Sequence, residues 1–410
     1  MPRQIAAESF TAARDAPYPM RGGQSPEGKT VLGARFAAAV MVVALAVAGC
    51  QRAPPKPAPP TPADARAARI EAALQQLYAD TQAVGAVVAV VDGDRTEVRG
   101  FGHPGPLDPN PTSGKTLVRL ESISKLFAAQ LLSDEVAAGR MRLTDPLALY
   151  APKGWSAPRL KGADPIELVN LAAHTSGLPR ESGLKPGLAA GAAAQARWAW
   201  LARQRRLPPA GKQALYSNVA FDLLGDALTD AGQTPYAEAL AARVIRPLGM
   251  ADTTPTPTAE QCARLMSSDP VRPPHPCVDQ SDHTASGGLY STGDDMALWL
   301  KAQLAPGAAA GARRISQAIY VQRAALAAAE GLDHAGPASA IGLGWIEQMA
   351  SATHPRILEK TGGGDGFLTY VVIDPARRVG VFVAFDNVSG RRMQPVTSDA
   401  NDLVGLLGAP

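Results

Sequence analysis

The chain has 410 residues, of which 46% are hydrophobic and 19% are charged, and its formal net charge is +3. This composition is typical of a globular protein with ample core, and the length fits either two domains or one large α/β unit. Because the charge is mild and the sequence contains no dense basic run, nucleic acid is not an expected partner.

The N-terminal segment predicts export from the cytoplasm. Basic residues precede an apolar run, Phe36 to Ala48, which is too short to span a bilayer comfortably but fits the core of a signal peptide. The run ends in Val47-Ala48-Gly49-Cys50, which resembles a bacterial lipobox. The alternative is an ordinary small-residue cleavage site with an incidental cysteine. We expect residues 1–49 to be a lipoprotein-type signal peptide and Cys50 to carry the lipid, in the periplasm of a Gram-negative bacterium.

Dense proline follows Cys50 and marks residues 50–64 as a linker. Proline at this density forbids helix and sheet and favours extended polyproline II, which rises about 3.1 Å per residue. The linker is expected to lift a folded domain, residues 65–410, off a membrane surface. A merely disordered linker would behave in nearly the same way.

The folded part opens with a helix and a hairpin. Apolar residues at helical spacing predict a helix over Asp64–Gln82. A short β-branched apolar run, Val84–Val91, ends in Asp92-Gly93-Asp94, which is a hairpin turn signal, and Arg95–Phe101 is predicted to return as the partner strand. Further helices are predicted from Ser122 onward and over about Pro165–Ala173, Ala189–Gln204, Asn218–Ala231 and Pro235–Val244.

The C-terminal part returns to strands, and a last helix ends the chain. These elements are predicted at Ile341–Met349, Arg356–Lys360, Phe367–Ile373, Val379–Phe385 and about Ser398–Leu407. The order predicts an α+β fold with one antiparallel sheet built from both chain ends and helices packed on it. The α/β part covers about 65–121 and 285–410, and a helical part, about 122–284, is inserted between them. A site is expected in the cleft at their seam.

Two cysteines, Cys262 and Cys277, lie close together in a proline-rich stretch. Outside the cytoplasm such a pair is expected to oxidise, so we predict a disulfide between them. His275 is nearby, but no ligand quartet with suitable spacing accompanies it, and no metal site is expected.

The stretch over residues 120–127 places a hydroxyl and an amine one helical turn apart. Ser122 and Lys125 share one face of a helix, and the apolar run after them predicts a buried helix with Ser122 in its first turn. A neutral lysine can activate a serine, and burial or a second cation lowers the lysine pKa. The alternative is a helix with an exposed serine and lysine. The same pattern recurs over residues 182–185, where a glycine and a following proline oppose a helix.

Tyr216-Ser217-Asn218 directly precedes a predicted helix. Tyr216 offers a phenol that can relay a proton to a leaving amine. Asn218 offers an amide that can orient Lys125 and a substrate carbonyl. The alternative is a core tyrosine followed by a helix-capping asparagine.

Lys360-Thr361-Gly362-Gly363-Gly364 ends a predicted strand. Lys360 supplies a permanent cation, Thr361 a donor for a carboxylate, and Gly363 an unobstructed N–H. The N–H groups of Ser122 and Gly363 are candidates for an oxyanion hole. The alternative is a glycine-rich turn.

In the order Ser-x-x-Lys, Tyr-x-Asn and Lys-Thr-Gly, the three motifs resemble those of the penicillin-recognising serine enzymes, the class C β-lactamases and penicillin-binding proteins. Within that superfamily the chain resembles the AmpH-type D-alanyl-D-alanine carboxypeptidase/endopeptidases from about Ala65 to the C-terminus. The segments that carry this resemblance are 170–181, 214–224, 246–250, 261–277, 286–296 and 359–364. The resemblance implies a β-lactamase/transpeptidase-like fold.

The resemblance also implies a function, that of a periplasmic peptidoglycan hydrolase without a cofactor. Ser122 is expected to attack the carbonyl of a D-Ala-D-Ala bond or of a D-Ala-diaminopimelate cross-link, and Lys125 to accept its proton. Tyr216 would protonate the departing amine, while Lys360 and Thr361 hold the terminal carboxylate. The expected partners are peptidoglycan stem peptides, β-lactams as covalent inhibitors, and a membrane through the lipid anchor. Two alternatives share the scaffold: a β-lactamase or esterase, and a penicillin-binding sensor without turnover.

Four further polar residues are expected to have supporting roles. His174 is predicted to be structural rather than a catalytic base, and Glu181 and Asp294 to fix loops. Asp365, within the glycine run, is a candidate for tuning the preference for substrate charge.

Overall fold

The computed structural model of the protein describes residues 61–158, 164–184, 187–267, 277–307, 310–364, 366–386 and 393–408. The predicted signal peptide, the lipidation at Cys50, most of the proline-rich linker, Lys185 and Asp365 lie outside the described residues. Within the described ranges, no helix is both long and apolar enough to cross a membrane.

The long strands of the described part lie towards the two ends of the chain. In chain order the strands are β1 (Gly85–Asp92), β2 (Arg95–Gly102), β3 (Leu117–Arg119), β4 (Ala214–Leu215), β5 (Tyr290–Thr292), β6 (Ile319–Gln322), β7 (Ala329–Glu330), β8 (Ala340–Gly342), β9 (Ile346–Gln348), β10 (Ile357–Gly364), β11 (Phe367–Asp374) and β12 (Val379–Asp386).

Most helices lie between these two groups of strands. They are α1 (Pro62–Thr81), α2 (Ser124–Ala137), α3 (Leu168–Ala172), α4 (Ala190–Ala202), α5 (Asn218–Gly232), α6 (Tyr236–Leu240), α7 (Arg246–Leu248), α8 (Ala259–Cys262), α9 (Gly293–Leu304), α10 (Ala310–Gln317) and α11 (Met393–Leu406). Shorter turns add 3₁₀ structure at Glu121–Ile123, Leu147–Tyr150 and Arg323–Ala325, and a π turn at Ala241–Ile245.

One antiparallel sheet of eight strands organises the fold, in the order β2-β1-β12-β11-β10-β9-β8-β6. Strand β1 pairs with β12 along its whole length, so the first and last strands of the chain lie side by side. The prediction of an antiparallel sheet built from both chain ends is therefore confirmed.

Alternation along β1 places apolar side chains on both faces of the sheet. Val87, Ala89 and Val91 pack into the core shared with the helical region, whereas Val88 and Val90 pack into the core beneath α1 and α11. Successive side chains of a strand point to opposite faces, so a continuous apolar run is what a strand buried on both faces requires. The sheet is thus the middle layer between two helical layers.

The structure adds elements that were not predicted, among them helices α9 and α10 and strands β3, β5 and β6, and it changes three of the predicted ones. The single strand predicted over Ile341–Met349 is wrong, because Gly344, with φ of +75°, allows the chain to reverse between β8 and β9. Helix α1 begins at Pro62, inside the predicted linker, where the Thr61 hydroxyl and the Asp64 carboxylate form a capping box. Helix α11 begins at Met393, five residues earlier than predicted.

A disulfide joins Cys262, at the end of α8, to Cys277, and their Cα atoms are 5.7 Å apart. Half-buried Cys277 packs against the main apolar core. The predicted pairing is confirmed, and the bond ties α8 to the segment that leads into the wall of the active-site cavity.

Reduction of this disulfide is expected to destabilise the protein by about 3 kcal/mol, because the unfolded chain regains the freedom of a 15-residue loop. Urea unfolding with and without dithiothreitol measures the loss. The double substitution Cys262→Ser/Cys277→Ser serves as the control, since its unfolding must not respond to dithiothreitol. Identical midpoints for the oxidised and reduced wild-type protein would contradict the prediction.

Candidate active site

Ser122 lies in the 3₁₀ turn that leads from β3 into α2, two residues before the first residue of that helix. Glu121 has φ of +51°, in the left-handed region that residues other than glycine seldom adopt. The Thr369 hydroxyl donates to the Leu120 carbonyl at 2.9 Å, and the Leu120 N–H donates to the Leu289 carbonyl at 2.8 Å. These bonds hold the turn in an unfavourable conformation, which is typical of functional sites.

Strand β10 runs directly against this turn because residue 362 has no side chain. A Cβ atom added to Gly362 would lie 2.1 Å from Thr369 Oγ1 and 2.7 Å from the Leu120 carbonyl oxygen. No other residue type fits there, since real Cβ atoms do not approach oxygen so closely. The glycine run thus brings the end of β10 against the turn that carries Ser122.

Lys125 is fully buried, and its amine reaches three oxygen atoms. Nζ lies 2.7 Å from Asn218 Oδ1, 3.1 Å from Ser122 Oγ, and within hydrogen-bond distance of the Ser286 carbonyl oxygen. The carbonyl and the amide oxygen can only accept, so they take two N–H groups. A neutral amine has two N–H groups and one lone pair, which leaves the lone pair for the hydroxyl of Ser122.

The surroundings of Lys125 favour this neutral form. Burial lowers the pKa of the amine, and the positive charge of Lys360 lowers it further, whereas the negative charges of Tyr216 and Asp222 act in the opposite direction. The net effect is a lowered pKa. Repulsion by Lys360 was one of the two causes expected from the sequence, and burial was the other.

Tyr216 lies on the other side of the serine, where its hydroxyl donates to Ser122 Oγ at 2.5 Å. Burial raises the pKa of this phenol, but the positive charges of Lys125 and Lys360 outweigh burial and bring the pKa to about 7. The Tyr216 ring stacks on the imidazole of His174 at 4.5 Å between centroids.

His174 is buried behind Tyr216 and supports it. Its Nδ1 accepts the N–H of Ser217 at 3.1 Å, which identifies Nδ1 as the unprotonated nitrogen. Burial and the nearby charges of Lys125 and Lys360 hold the pKa of His174 well below its usual value. A neutral ring that packs on a tyrosine agrees with the structural role predicted for this histidine.

Lys360 is buried on β10, and its Nζ lies 5.0 Å from the centre of the Tyr216 ring. The same Nζ donates to the Thr361 carbonyl at 2.8 Å. Thr361 is half-buried and Gly363 is exposed at the end of the strand. The structure therefore brings all seven predicted catalytic and substrate-binding residues to one region, namely Ser122, Lys125, Tyr216, Asn218, Lys360, Thr361 and Gly363.

A cavity of about 520 Å³ opens beside Ser122. Ser122, Asn218 and Gly363 line it, whereas Tyr216, Lys360 and Thr361 are outside its lining. Three arginines and four carboxylates also line the cavity, namely Arg119, Arg180, Arg197, Glu121, Glu181, Asp222 and Asp282. This mixture of charges suits a ligand that carries both charges better than an apolar one.

Two carboxylates in this cavity were not assigned to the site from the sequence. Glu181, predicted only to fix a loop, accepts the amide N–H of Asn218 at 2.5 Å and so orients the amide that holds Lys125. Asp222 was not singled out, although it lies four residues after Asn218 on α5 and so shares its face. Helical spacing from Asn218 was the signal that could have identified Asp222.

The second Ser-x-x-Lys pattern does not form a comparable pair. Ser182 lines the rim of the cavity outside any helix, and Lys185 lies outside the described residues. Asp294, in the first turn of α9, donates its backbone N–H to the Gly114 carbonyl at 3.0 Å, away from the residues around Ser122. Among the described residues, no group of three or more His, Cys, Asp or Glu side chains is placed to hold a metal ion.

Comparison with known families identifies this arrangement. The family model described as Beta-lactamase matches residues 70–404, which is most of the chain. The chain belongs to the β-lactamase family.

Relatives within the β-lactamase family agree with that assignment. The chain is 38% identical over 337 residues to the D-alanyl-D-alanine-carboxypeptidase/endopeptidase AmpH of Escherichia coli (strain K12), a match that covers 80% of this chain and 86% of AmpH. A crystal structure of a β-lactamase/D-alanine carboxypeptidase from Yersinia pestis matches with a TM-score of 0.77 and 36% identity, over 85% of this chain and 99% of that one. A class C β-lactamase structure, with a TM-score of 0.65 and 19% identity over 83% of this chain and 97% of that one, shares the fold.

These findings confirm two predictions made from the motifs. The fold is the β-lactamase/transpeptidase-like fold, and this member of the β-lactamase family is a serine hydrolase. The family resemblance inferred from three short motifs therefore extends over the whole folded part.

Tyr216 is expected to ionise near neutral pH, because the positive charges of Lys125 and Lys360 outweigh burial and lower its pKa to about 7. Ultraviolet titration of the folded protein should show phenolate absorbance for one tyrosine near neutral pH. The Tyr216→Phe protein should lack this signal, and Lys360→Gln should move it to higher pH because one stabilising cation is lost. Absence of any phenolate below about pH 9 would refute the assignment.

Proposed function

We propose that the protein is a DD-peptidase that cleaves D-alanyl-D-alanine bonds and D-alanyl-diaminopimelate cross-links in peptidoglycan through an acyl-enzyme on Ser122. One observation carries this proposal: Ser122 Oγ lies within hydrogen-bond distance of both Lys125 Nζ, at 3.1 Å, and Tyr216 OH, at 2.5 Å. A hydroxyl between a neutral amine and a phenol can lose its proton to one group while the other protonates a leaving group.

Acylation follows from these contacts. Ser122 gives its proton to the lone pair of Lys125, and Oγ forms a bond to the carbonyl carbon of the scissile amide. The N–H groups of Ser122 and Gly363 stabilise the resulting oxyanion. Tyr216 then protonates the amide nitrogen, the C–N bond breaks, and D-alanine or the second stem peptide leaves. Lys125, whose Nζ lies 5.0 Å from the centre of the Tyr216 ring, returns its extra proton to the phenolate.

Deacylation uses the same pair of groups in reverse. A water molecule gives its proton to the Tyr216–Lys125 pair as its oxygen attacks the acyl carbon. The pair returns this proton to Ser122 Oγ when the ester bond breaks. The product is a shortened stem peptide with a new carboxylate, and Ser122 is restored.

The choice of a D-alanyl peptide rests on the relatives and on the positive charge at the end of β10. Relatives at 38% and 36% identity are described as D-alanine carboxypeptidases. Lys360 and the Thr361 hydroxyl are placed to attract the terminal carboxylate of such a peptide, because a buried ammonium without a carboxylate partner among the described residues favours an anion nearby.

We further propose that the enzyme works in the periplasm, tethered to a membrane by a lipid on Cys50. The apolar run before Val47-Ala48-Gly49-Cys50 and the proline-rich linker after it support this location. The disulfide between Cys262 and Cys277 also suits an oxidising compartment.

Ser122→Ala is expected to abolish both labelling by fluorescent penicillin and release of D-alanine from disaccharide pentapeptide, with a loss of at least about 10³-fold. Gel fluorescence and quantitation of free D-alanine provide the measurements, and Ser182→Ala, in the second Ser-x-x-Lys pattern, provides the matched control. Rapid hydrolysis of nitrocefin with intact pentapeptide would favour a β-lactamase. A penicillin adduct that never turns over would favour a sensor.

Activity is expected to fall on acidification, because Lys125 accepts the serine proton only while it is neutral. Lys360→Gln removes a positive charge that lowers the pKa of Lys125, so its pKa should rise and the acidic limb of the kcat/KM profile should move to higher pH. A flat profile from about pH 5 to about pH 9 in the wild-type enzyme would contradict the neutral-lysine mechanism.

A further inference from the structure

A second cavity, of about 460 Å³, lies next to the active-site cavity, and four residues line both. These shared residues are Arg197, Asp222, Asp282 and His283. The second cavity lies between α4, α5 and the start of α6, and the segment 281–285 completes it. The proposed peptidase reaction makes no use of it.

Small residues leave this cavity open. They are Ala190, Gly191, Ala194, Gly225, Ala237 and Ala285. A Cβ atom added to Gly225 would lie 2.9 Å from Ala285 Cβ and 3.7 Å from Tyr236 Cγ, so the glycine allows these walls to approach each other. A wall of methyl and methylene groups suits the apolar body of a small molecule.

The charged groups around the cavity indicate whether its ligand is a cation or an anion. Four carboxylates line it, those of Asp222, Asp226, Asp230 and Asp282, against one guanidinium and the imidazole of His283, which contacts Asp282. That guanidinium, on Arg197, is already committed: it forms two bonds to Asp226, at 2.6 and 3.0 Å, and one to the Asp282 carbonyl at 2.7 Å. An excess of negative charge therefore remains.

Two polar groups on the wall retain unused hydrogen-bonding capacity. Asp222 Oδ1 has no partner among the described residues, and the nearby Ser286 hydroxyl donates to the His283 carbonyl at 3.3 Å. The hydroxyl of Tyr236, a side chain only 7% exposed, also lacks a partner there. The Asp222 charge is close enough to raise the pKa of Tyr236, after burial, which raises it most. A buried polar group without a partner is costly, and a ligand that supplies N–H groups would remove that cost.

We propose that this second cavity binds a small organic ammonium ion, whose apolar body packs on the small residues and whose charged nitrogen donates to Asp222 and Tyr236. This inference goes beyond the proposed peptidase function, and the binding itself does not depend on it.

A cation bound in the second cavity would affect the active site through Asp222. Asp222 is close enough to Lys125 for their charges to interact, and the Ser286 carbonyl between the two elements accepts from Lys125. The charged groups that face Lys125 are Tyr216, Lys360 and Asp222, and those that face Asp222 are Arg197, His283 and Lys125. Because the Asp222 charge raises the pKa of Lys125, a cation that neutralises it lowers that pKa. With the cation bound, Lys125 therefore stays neutral at lower pH than in the free enzyme, and the enzyme stays active there.

Calorimetric titration of the purified protein with cyclohexylammonium tests the binding. Saturable binding is expected for the cation, with binding at least about tenfold weaker for cyclohexanol and cyclohexanecarboxylate. Ala194→Leu fills the cavity and should abolish binding. Ala192→Leu is the matched control, because Ala192 is exposed on the same helix and lines neither cavity. Asp222→Asn should weaken binding by about tenfold.

Several outcomes would overturn the proposal. They are no saturable binding, equal affinity for cyclohexanol, or equal losses in Ala192→Leu and Ala194→Leu. Loss of binding in Glu181→Gln but not in Asp222→Asn would place the cation in the active-site cavity instead. In the pH profile of acylation by fluorescent penicillin, the ligand should move the acidic limb to lower pH in the wild type. It should have no effect in Asp222→Asn, where that charge is already absent.

Discussion

The chemistry of this site depends on keeping the amine of Lys125 uncharged in a place where it can still touch a serine. Burial and the second cation at Lys360 disfavour the ammonium form, while two acceptor-only oxygens take the two N–H groups that a neutral amine offers. The positive charge of Lys360, joined by that of Lys125 once it has accepted a proton, stabilises the Tyr216 phenolate. One charge arrangement therefore prepares a base and an acid for the same hydroxyl, at a pH where free lysine and tyrosine would both be protonated.

The fold brings three chain segments together around the hydroxyl of Ser122. The turn before α2 brings Ser122 and Lys125, the entrance of α5 brings Tyr216 and Asn218, and β10 brings Lys360. Residues within one segment are close in the sequence, but the three segments are far apart along the chain. Strand β10 can lie against the turn because Gly362 has no side chain. The glycine of the Lys-Thr-Gly motif therefore helps to position Ser122, the nucleophile of the Ser-x-x-Lys motif.

Much of this arrangement was predictable because local patterns determine it. A helical i, i+3 spacing brings Ser122 to Lys125, and a continuous β-branched run marks β1 as a strand buried on both faces. The strand predicted over Ile341–Met349 was wrong because one glycine with positive φ reverses an otherwise strand-like run. A hydrophobic pattern does not indicate whether the φ angle of a glycine is positive or negative. Glu181 and Asp222 were missed for another reason. The role of Glu181 comes from a contact between distant segments, and a single carboxylate in a loop has no local signature, whereas Asp222 could have been identified only by its helical spacing from Asn218.

The pairing of β1 with β12 links the order of synthesis to the order of folding. Residues 85–92 leave the ribosome first among the strands of the large sheet, yet their partner, residues 379–386, is among the last segments made. The eight-stranded sheet therefore cannot be completed while the chain is still being synthesised. Contacts of such long sequence separation also form slowly once the chain is complete. In a protein built in this way, the sheet that separates the two apolar cores stays incomplete until the last strand has been made.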